Sequence, residues 1–278
     1  MFNSFLGSPT VVKAFLESRK AEFIANRFQR LFLKIFGSLI IRICGWPLTI
    51  NERHQARIFR RFLTGQTGRL LDMGGSYGSY AFHFARGGWD VTVIDIDDDS
   101  LRVGRAIKEH LGKPAISFLH RDLLQTGFEE GEFDVVLLSQ VLEHIKDDAA
   151  VLREAGRVLR PGGILVIAVP HSAEDLEFSH QVFYCDIKEE EQAKASGAWA
   201  EDGHWRQGYS FDKLQALLEM AGFTIEDKAP VAYSLLVPSV VLMPKSIYAF
   251  PVTFPLSLLP FQIKSRVYDV VVKARRGL

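Results

Sequence analysis

The sequence predicts an α/β fold, a seven-stranded and mostly parallel β-sheet with helices on both faces. From residue 69 onward, short β-branched runs alternate with runs of helical period, which is the order that crossover helices between parallel strands produce. A hydrophobic fraction of 47% over 278 residues is enough for one large domain with a sizeable core. The predicted strands cover residues 69–73, 91–95, 115–120, 133–138, 163–169, 223–228 and 266–273.

Two of the predicted helices carry clear end signals. Apolar residues recur at helical spacing over 147–159, and Asp147 is placed to cap the start of that helix. The Arg-Pro-Gly-Gly run at 160–163 predicts its end and a turn into the next strand. A further helix is predicted over 211–221, with Ser210 as its N-cap.

Two apolar additions accompany the sheet domain. Residues 1–62 form a basic, amphipathic helical extension with eleven Lys or Arg and three acidic residues, and the sheet domain is expected to span 63–278. Within that domain lies a polar segment, 171–209, and an apolar insertion before the last strand, 229–263. Six prolines exclude a long helix from this insertion, so hairpins are its simplest form.

Composition excludes several classes of protein. The formal net charge is zero, so there is no general basic surface for nucleic acid. The two cysteines, Cys44 and Cys185, are in no metal-ligand or CxxC spacing, which fits a reducing cytoplasm and predicts no metal site. The N-terminus lacks the pattern of a signal peptide, and charged residues interrupt the apolar stretch 31–50, so a transmembrane helix is not expected.

A turn of small residues follows the first predicted strand. Buried Asp72 precedes Gly74, Gly75, Ser76 and Gly78, and a helix is predicted to begin just afterwards. Small residues let the backbone approach a ligand closely, and the start of a helix presents unpaired N–H groups. The glycine spacing differs from the G-x-G-x-x-G pattern of dinucleotide-binding proteins, so that class is not predicted.

Polar residues also follow the later strands. Asp95 ends the second strand, 95 − 72 = 23 residues after Asp72, where a carboxylate can accept both hydroxyls of a ribose. The alternative for Asp95 is a solvated helix cap before the acidic run 97–99. The crevice at the carboxyl ends of the strands is also expected to receive Asp122, Leu123 and Gln140, which follow the third and fourth strands.

The order of these motifs resembles the class I S-adenosylmethionine-dependent methyltransferases, in particular the quinone-biosynthesis type, or methyltransferase type 11 group. The resemblance spans about residues 66–228, with a last strand at 266–273. It rests on LLDMGGSYG, VTVIDID, RDL, FDVVLLSQVLEHI and EAGRVLRPGGILVIAVP in that order. The resemblance implies a Rossmann-like fold and S-adenosyl-L-methionine as the cofactor.

The resemblance also implies roles for individual residues. The methionine part of the cofactor is implied to lie over Gly74, Gly75, Ser76 and Gly78, with Asp72 beneath them and Gln140 nearby. Asp95 is implied to bind the ribose. Ile96 is implied to pack on the adenine ring, and Asp122 and the Leu123 amide to contact the adenine edge. One position departs from the family motif D-x-G-x-G-x-G, because Ser76 stands at its second glycine.

Methyl transfer requires a general base only when the acceptor is a hydroxyl or a protonated amine. The candidates are His171, directly after the fifth strand, with His204 and Tyr209 in the segment 171–209, where the resemblance implies an acceptor site or lid. Each has a structural alternative, such as capping a loop or anchoring the lid. Glu143 belongs to the family's helix-start pair and is expected to be structural.

The apolar additions bear on the acceptor. A basic amphipathic N-terminus fits a helix at a membrane surface, so we expect a small-molecule acceptor that is lipid-linked or membrane-derived, and peripheral contact with the inner face of a membrane. Examples are a prenylated quinone precursor or a lipid-carried glycan. In the alternative, the N-terminal helix packs over the cofactor crevice and the insertion covers it or forms a homodimer interface. A non-catalytic adaptor that retains the fold is the competing hypothesis, and a nucleic-acid methyltransferase is not expected.

Overall fold

The computed structural model describes residues 50–112, 114–171, 208–232 and 267–277. Along the chain the elements are α1 Ile50–Phe62, β1 Arg69–Met73, α2 Ala81–Ala85, β2 Asp90–Asp95, α3 Asp98–His110, β3 Ile116–His120, β4 Phe133–Ser139, a 3-10 turn Leu142–His144, α4 Asp148–Val158, β5 Leu159–Pro170, α5 Phe211–Met220, β6 Phe223–Ala232 and β7 Val267–Arg276.

The strands form a seven-stranded mixed sheet in the order β3-β2-β1-β4-β5-β7-β6. Pairing is parallel for β1 with β2, β2 with β3 and β4 with β5, whereas β7 is antiparallel to both β5 and β6. This arrangement confirms the predicted α/β class with a mostly parallel, Rossmann-like sheet. The described residues fall into two compact units by their contacts, one ending at Asp122 and the other beginning at Leu123.

The first unit contains β1, β2 and β3 with α1, α2 and α3. Strands β1 and β2 are mostly buried and apolar, which is the pattern of a parallel sheet covered on its faces, whereas β3 alternates between buried and exposed residues. Asp97 caps α3, its side chain accepting the Asp99 N–H at 3.1 Å. Phe118 of β3 packs against Gly78 and Gly104, where a larger residue would meet its ring. Small residues therefore let α3 and the turn after β1 lie close to the sheet.

The second unit departs from prediction at the start of β5. The strand begins at Leu159 rather than at residue 163, because Leu159 already pairs with Phe133. The next partners are Val135 and Ile164, so the predicted turn at 160–163 is a bulge within the strand, opposite a single residue of β4. Periodicity does not reveal such a bulge, since the Pro-Gly-Gly sequence is equally typical of a turn.

The last two strands are longer than predicted. β6 continues to Ala232 instead of ending at Lys228, so its final residues had been assigned to the apolar insertion. Pro230 lies inside this strand, opposite Val270. Proline is tolerated there because β6 is at the edge of the sheet. The rest of the insertion, like residues 1–49, lies outside the described residues.

The predicted helix caps are confirmed. Asp147 accepts the Ala150 N–H at 2.9 Å at the start of α4. Ser210 accepts the Lys213 N–H at 3.4 Å at the start of α5. Both helices differ from their predicted bounds by one residue at each affected end, which is the usual spread of helix boundaries.

The bulge in β5 gives a stability prediction. A methyl group added at Gly163 would lie 2.8 Å from the Arg160 carbonyl oxygen and 3.2 Å from that of Asp134, so Gly163→Ala should lower the free energy of unfolding by about 1–3 kcal/mol. The matched control is Gly156→Ala within α4, whose added methyl meets its nearest atoms at 3.6 Å. This control should be neutral or stabilising by up to about 1 kcal/mol. Urea unfolding measures both, and equal effects would contradict the bulge geometry.

Candidate active site

The turn after β1 is fixed to the end of β2. The backbone N–H groups of Gly74 and Gly75 both donate to the carbonyl oxygen of Ile94, at 2.8 and 3.2 Å. The Gly78 N–H then donates to the Gly75 carbonyl oxygen at 2.8 Å. Gly74 has a φ of 74°, a conformation that glycine adopts without steric cost. The turn is therefore a tight loop held by backbone hydrogen bonds within the first unit.

Asp95 joins this turn through its side chain. Its Oδ2 accepts the Ser76 N–H at 2.8 Å and its Oδ1 accepts the Asp97 N–H at 2.9 Å. Ser76 has a φ of 55°, the left-handed region that glycine favours. Serine thus adopts the backbone conformation expected of the family's glycine at this position, and the Asp95 carboxylate holds it there.

A buried carboxyl lies beneath the turn. Asp72 is 2% exposed, and its Oδ2 has no hydrogen-bond partner among the described residues. Burial, reinforced by the charge of Asp95, raises the pKa of Asp72 to about 7. A Cβ atom at Gly75 would come within 2.6 Å of the Asp72 carboxyl, so only glycine fits over it.

The other predicted cofactor residues of the first unit lie at the same edge of the sheet. Ile96 directly follows β2 and is 55% exposed, which is unusual for a large apolar residue and fits the predicted contact with a flat ring. Asp95 pairs with His120 of β3, and its carbonyl oxygen accepts the Arg121 N–H at 3.1 Å. Asp122 is the next residue and is exposed. The structure thus brings these positions together, and their roles toward a cofactor remain predictions.

Helix α1 contacts the helix that starts after the turn, a feature that the sequence analysis missed. The Tyr80 hydroxyl donates to Gln55 Oε1 at 2.7 Å, and both side chains are buried. The rings of Phe59 and Tyr80 meet edge to face, with centroids 4.9 Å apart. The i, i+4 spacing of Gln55 and Phe59 was an available signal. The last part of the predicted extension therefore packs against the start of the helix that follows the turn.

Two further predicted residues belong to the second unit. Leu123 is buried, at 8% exposure. Gln140 directly follows β4 and has a φ of 55°, while its N–H donates to the Ala168 carbonyl oxygen at 2.8 Å. The side-chain Nε2 of Gln140 is buried without a hydrogen-bond partner among the described residues.

Glu143 is the least expected residue of the second unit. It lies in the 3-10 turn after β4, it is 0% exposed, and neither carboxyl oxygen has a hydrogen-bond partner in the described part of the chain. Burial raises the pKa of Glu143 to about 8 against the smaller, lowering effect of its own backbone N–H, and the charge of Asp269 also raises it. Most buried carboxyls are hydrogen-bonded, so Glu143 is an exception among the described residues. The structural role expected from the sequence stays a prediction.

Tyr209 was predicted to be catalytic, and its surroundings correct that prediction. Its side chain is 0% exposed, and its hydroxyl donates to Asp148 Oδ2 at 3.0 Å and approaches the Leu142 carbonyl oxygen at 3.3 Å. Its N–H donates to the Pro170 carbonyl oxygen at 2.9 Å. A hydroxyl enclosed in this way joins the end of β5 to the turn after β4, which is a structural function.

His171, the predicted base, lies beside Tyr209. Its Nδ1 is 3.2 Å from the Tyr209 carbonyl oxygen. Because a carbonyl can only accept, Nδ1 carries the proton in this contact, and Nε2 is the nitrogen with a lone pair in the neutral ring. His171 is half-buried. His204, the remaining candidate, lies outside the described residues.

Comparison with known proteins agrees with the motif order. Residues 71–167 match the family model of a methyltransferase domain. A demethylmenaquinone methyltransferase of Staphylococcus haemolyticus is 30% identical over 141 residues, which are 48% of this chain and 58% of that protein. The chain spans about half the length of the curated relatives that it matches. The resemblance to quinone-biosynthesis-type methyltransferases is therefore confirmed for this part of the chain.

Solved structures extend the agreement to the fold. A SAM-dependent methyltransferase of Methanosarcina mazei matches with a TM-score of 0.53 at 18% identity, covering 80% of this chain and 97% of that one. The cyclase SpnF matches with a TM-score of 0.58 at 18% identity, covering 82% of each chain. At these identities the likeness concerns the fold, which is that of class I methyltransferase domains. The second match shows that a protein named for another reaction has the same fold.

The turn after β1 gives a matched pair of substitutions. Gly75→Ala should lower stability by about 1–3 kcal/mol and weaken cofactor binding at least tenfold, because its methyl group would meet the buried Asp72 carboxyl. Ser76→Gly should preserve binding and raise stability by about 1 kcal/mol, since it removes a side chain from a left-handed backbone position. Thermal unfolding and calorimetric titration measure both. Equal tolerance of the two changes would refute the described turn.

Proposed function

We propose that the chain is an S-adenosylmethionine-dependent methyltransferase that acts on a small-molecule acceptor, specifically a lipid-linked quinone precursor in its reduced, hydroxyl-bearing form. The observation that carries the proposal is the small-residue turn after β1, held against the end of β2 by the Asp95 carboxylate in a stretch that matches a methyltransferase domain. Acceptor class and membrane contact rest on further arguments below.

The residues of the first unit fit the cofactor. Gly75 lets the turn lie directly on Asp72, because a Cβ atom there would come within 2.6 Å of that carboxyl and 2.8 Å of Val93. Each oxygen of the Asp95 carboxylate accepts one described N–H and has a second lone pair, so both can also accept a ribose hydroxyl. Ile96 offers an exposed apolar surface for the adenine. Gly74, Ser76, Gly78, Asp122, Leu123 and Gln140 complete the proposed set.

S-adenosylmethionine supplies a methyl group that the sulfonium already activates. The protein's contribution is to hold donor and acceptor in line and to exclude water. Backbone hydrogen bonds from Gly74 and Gly75 fix the turn before any ligand binds, so little ordering is left for the binding step. His171 and Glu143 of the second unit are the candidates for taking a proton from the acceptor.

The acceptor class is argued from relatives and from composition. The Staphylococcus haemolyticus relative is named for demethylmenaquinone, a prenylated quinone. This chain has a basic amphipathic segment at residues 1–62 and an apolar insertion at 229–263, both suited to a lipid surface. Among the described residues, none of the helices has the length and hydropathy needed to cross a membrane. Peripheral contact with the inner face of a membrane is proposed from the basic amphipathic sequence of residues 1–62.

The competing function is a non-catalytic adaptor that retains the fold. Ser76 at a family glycine favours it, and the likeness to a cyclase illustrates that this fold does not determine the reaction. Cofactor binding without methyl transfer to prenylated hydroquinones or to a lipid extract would favour the adaptor. Methyl transfer to any of them would exclude it.

Asp95 provides the direct test of the cofactor site. Asp95→Ala removes the acceptor of the Ser76 N–H and of the ribose hydroxyls, so the dissociation constant for S-adenosylhomocysteine should rise about 10- to 100-fold, the effect of losing charged hydrogen bonds. Asp98→Ala, which removes a carboxylate whose side chain is 66% exposed on α3, should leave it unchanged. Calorimetric titration measures both. Unchanged binding after Asp95→Ala, or none by the folded wild-type chain, would exclude the proposed site.

Membrane contact is tested separately. The full chain should float with vesicles of phosphatidylcholine and phosphatidylglycerol, because the basic residues of the N-terminal extension face anionic headgroups. A chain lacking residues 1–45 keeps α1 and should remain in the soluble fraction, as should the full chain with phosphatidylcholine alone. Recovery of the full chain only in the soluble fraction with both vesicles would remove the lipid argument and leave the methyltransferase proposal standing.

A further inference from the structure

Two buried polar groups without partners lie close together in sequence at the carboxyl end of β4. Gln140 Nε2 and both oxygens of Glu143 are enclosed and make no hydrogen bond to the described residues. The two groups lack opposite kinds of partner, because the amide nitrogen needs an acceptor and a carboxylate needs a donor. A buried polar group left unsatisfied costs about 1–3 kcal/mol, so such pairs are uncommon outside functional sites.

The backbone around these groups is fixed. The Gln140 N–H donates to Ala168 of β5 at 2.8 Å, which holds Gln140 in a left-handed conformation that non-glycine residues rarely adopt. The Tyr209 hydroxyl lies 3.3 Å from the Leu142 carbonyl oxygen, next to Glu143, and the Tyr209 N–H donates to the Pro170 carbonyl oxygen at the end of β5. The two side chains are therefore presented by a rigid frame in the second unit, as a binding site requires.

We propose that Glu143 binds a hydroxyl group of the acceptor and removes its proton, while Gln140 Nε2 donates a hydrogen bond to a second oxygen of the same molecule. This inference rests on the proposed methyltransferase function and names its acceptor class, an aromatic compound with two oxygen substituents such as a hydroquinone. It assigns to Glu143 the role of base that the sequence analysis gave to His171.

The proton transfer is balanced within the acceptor and the protein. The acceptor's O–H bond breaks, its proton bonds to an oxygen of the Glu143 carboxylate, and the electron pair stays on the acceptor as a phenolate. A phenolate is more nucleophilic than a phenol at its oxygen and at its ring carbons, so the step serves O- or C-methylation. In C-methylation the ring C–H bond also breaks, and the oxygen regains a proton as the ring becomes aromatic again. The carboxyl then returns its proton to water after the product leaves.

The environment of Glu143 suits this step. A phenol has a pKa of about 10 and an ordinary Glu about 4.3, a gap of nearly six units that makes the carboxylate a weak base. Burial raises the pKa of Glu143 to about 8, which narrows the gap and keeps the group partly ionised near neutral pH. The other titratable groups around this frame are Asp269 on β7, Asp148 at the start of α4, His144 in the same turn and His171 after β5.

Binding selectivity tests the hydroxyl contact without relying on catalysis. The probes are 2-geranyl-1,4-naphthohydroquinone and its dimethyl ether, titrated anaerobically into the full chain with S-adenosylhomocysteine present. The wild type should bind the hydroquinone at least tenfold more tightly than the ether, because the ether cannot donate to Glu143. Glu143→Leu should lose this preference, whereas Asp148→Asn, which alters a buried carboxyl already bonded by Tyr209, should keep it.

Turnover tests the proton transfer. Glu143→Gln can still accept a hydrogen bond, so it should keep the binding preference but lose at least 100-fold in rate with the hydroquinone. The wild-type rate should rise about tenfold per pH unit and level off near the Glu143 pKa of about 8. This rise should be absent in Glu143→Gln and present in His171→Asn.

The pH dependence of stability provides a control, because it shows whether Glu143→Gln acts through the loss of this carboxyl. A raised folded-state pKa gives Glu143 a stabilising contribution that is complete below pH 4.5 and is lost as the pH rises to about 8. The melting temperature of Glu143→Gln relative to wild type should therefore increase across that interval.

Three outcomes would overturn the inference: a wild type that binds both probes equally, a Glu143→Leu variant that keeps the hydroxyl preference, or a pH dependence that disappears in His171→Asn instead. S-adenosylhomocysteine binding, measured in the same titrations, keeps these failures distinct from a failure of the proposed function. If the cofactor product binds and the hydroxyl preference is missing, only the role of Glu143 is lost.

Discussion

The site depends on how the end of β2 holds the turn after β1. The Ile94 carbonyl oxygen accepts two N–H groups from Gly74 and Gly75, and the next side chain, Asp95, accepts the N–H of Ser76. Met73 and Ile94 are the last paired residues of β1 and β2. The hydrogen bonds of the turn therefore follow directly after the last pair of the parallel ladder. A larger residue at position 75 would break this arrangement by contact with Asp72. The conformation of the turn therefore depends on glycine at this position.

Each unit contains a carboxyl that folding keeps from water. Burial raises the pKa of Asp72 to about 7 and of Glu143 to about 8, and both carboxyls have oxygens without partners among the described residues. A carboxyl with a raised pKa stabilises the fold fully below its unfolded pKa and loses that contribution as the pH rises through its folded one. At neutral pH both residues thus oppose folding relative to an uncharged residue, and such local conflicts concentrate at functional sites.

The sequence predicted most of the sheet because buried parallel strands are continuous apolar runs, as β1 shows by matching its predicted bounds. Sequence-based prediction was wrong where contacts between distant residues determine the local structure. The bulge at 160–163 has the composition of a turn, and Pro230 fits in β6 only because that strand is at an edge. For the site, strand order predicted that Asp95 ends β2 beside the turn after β1, but a side chain's enclosure depends on distant residues. Tyr209 was therefore taken for a catalytic group, and the isolation of Glu143 was not foreseen.

Ser76 bears on whether the fold still carries chemistry. Its φ of 55° shows that the backbone keeps the conformation of the family's glycine, at a cost of about 1 kcal/mol that a glycine would avoid. Gln140 has the same strained φ and, with Glu143, an unsatisfied buried group. An adaptor that used only the outer surface would need neither the strain nor the buried polar atoms, and replacing them with apolar residues would stabilise it. Since these costs lie at the carboxyl ends of β1 and β4, where parallel sheets bind ligands, they favour an enzyme over an adaptor.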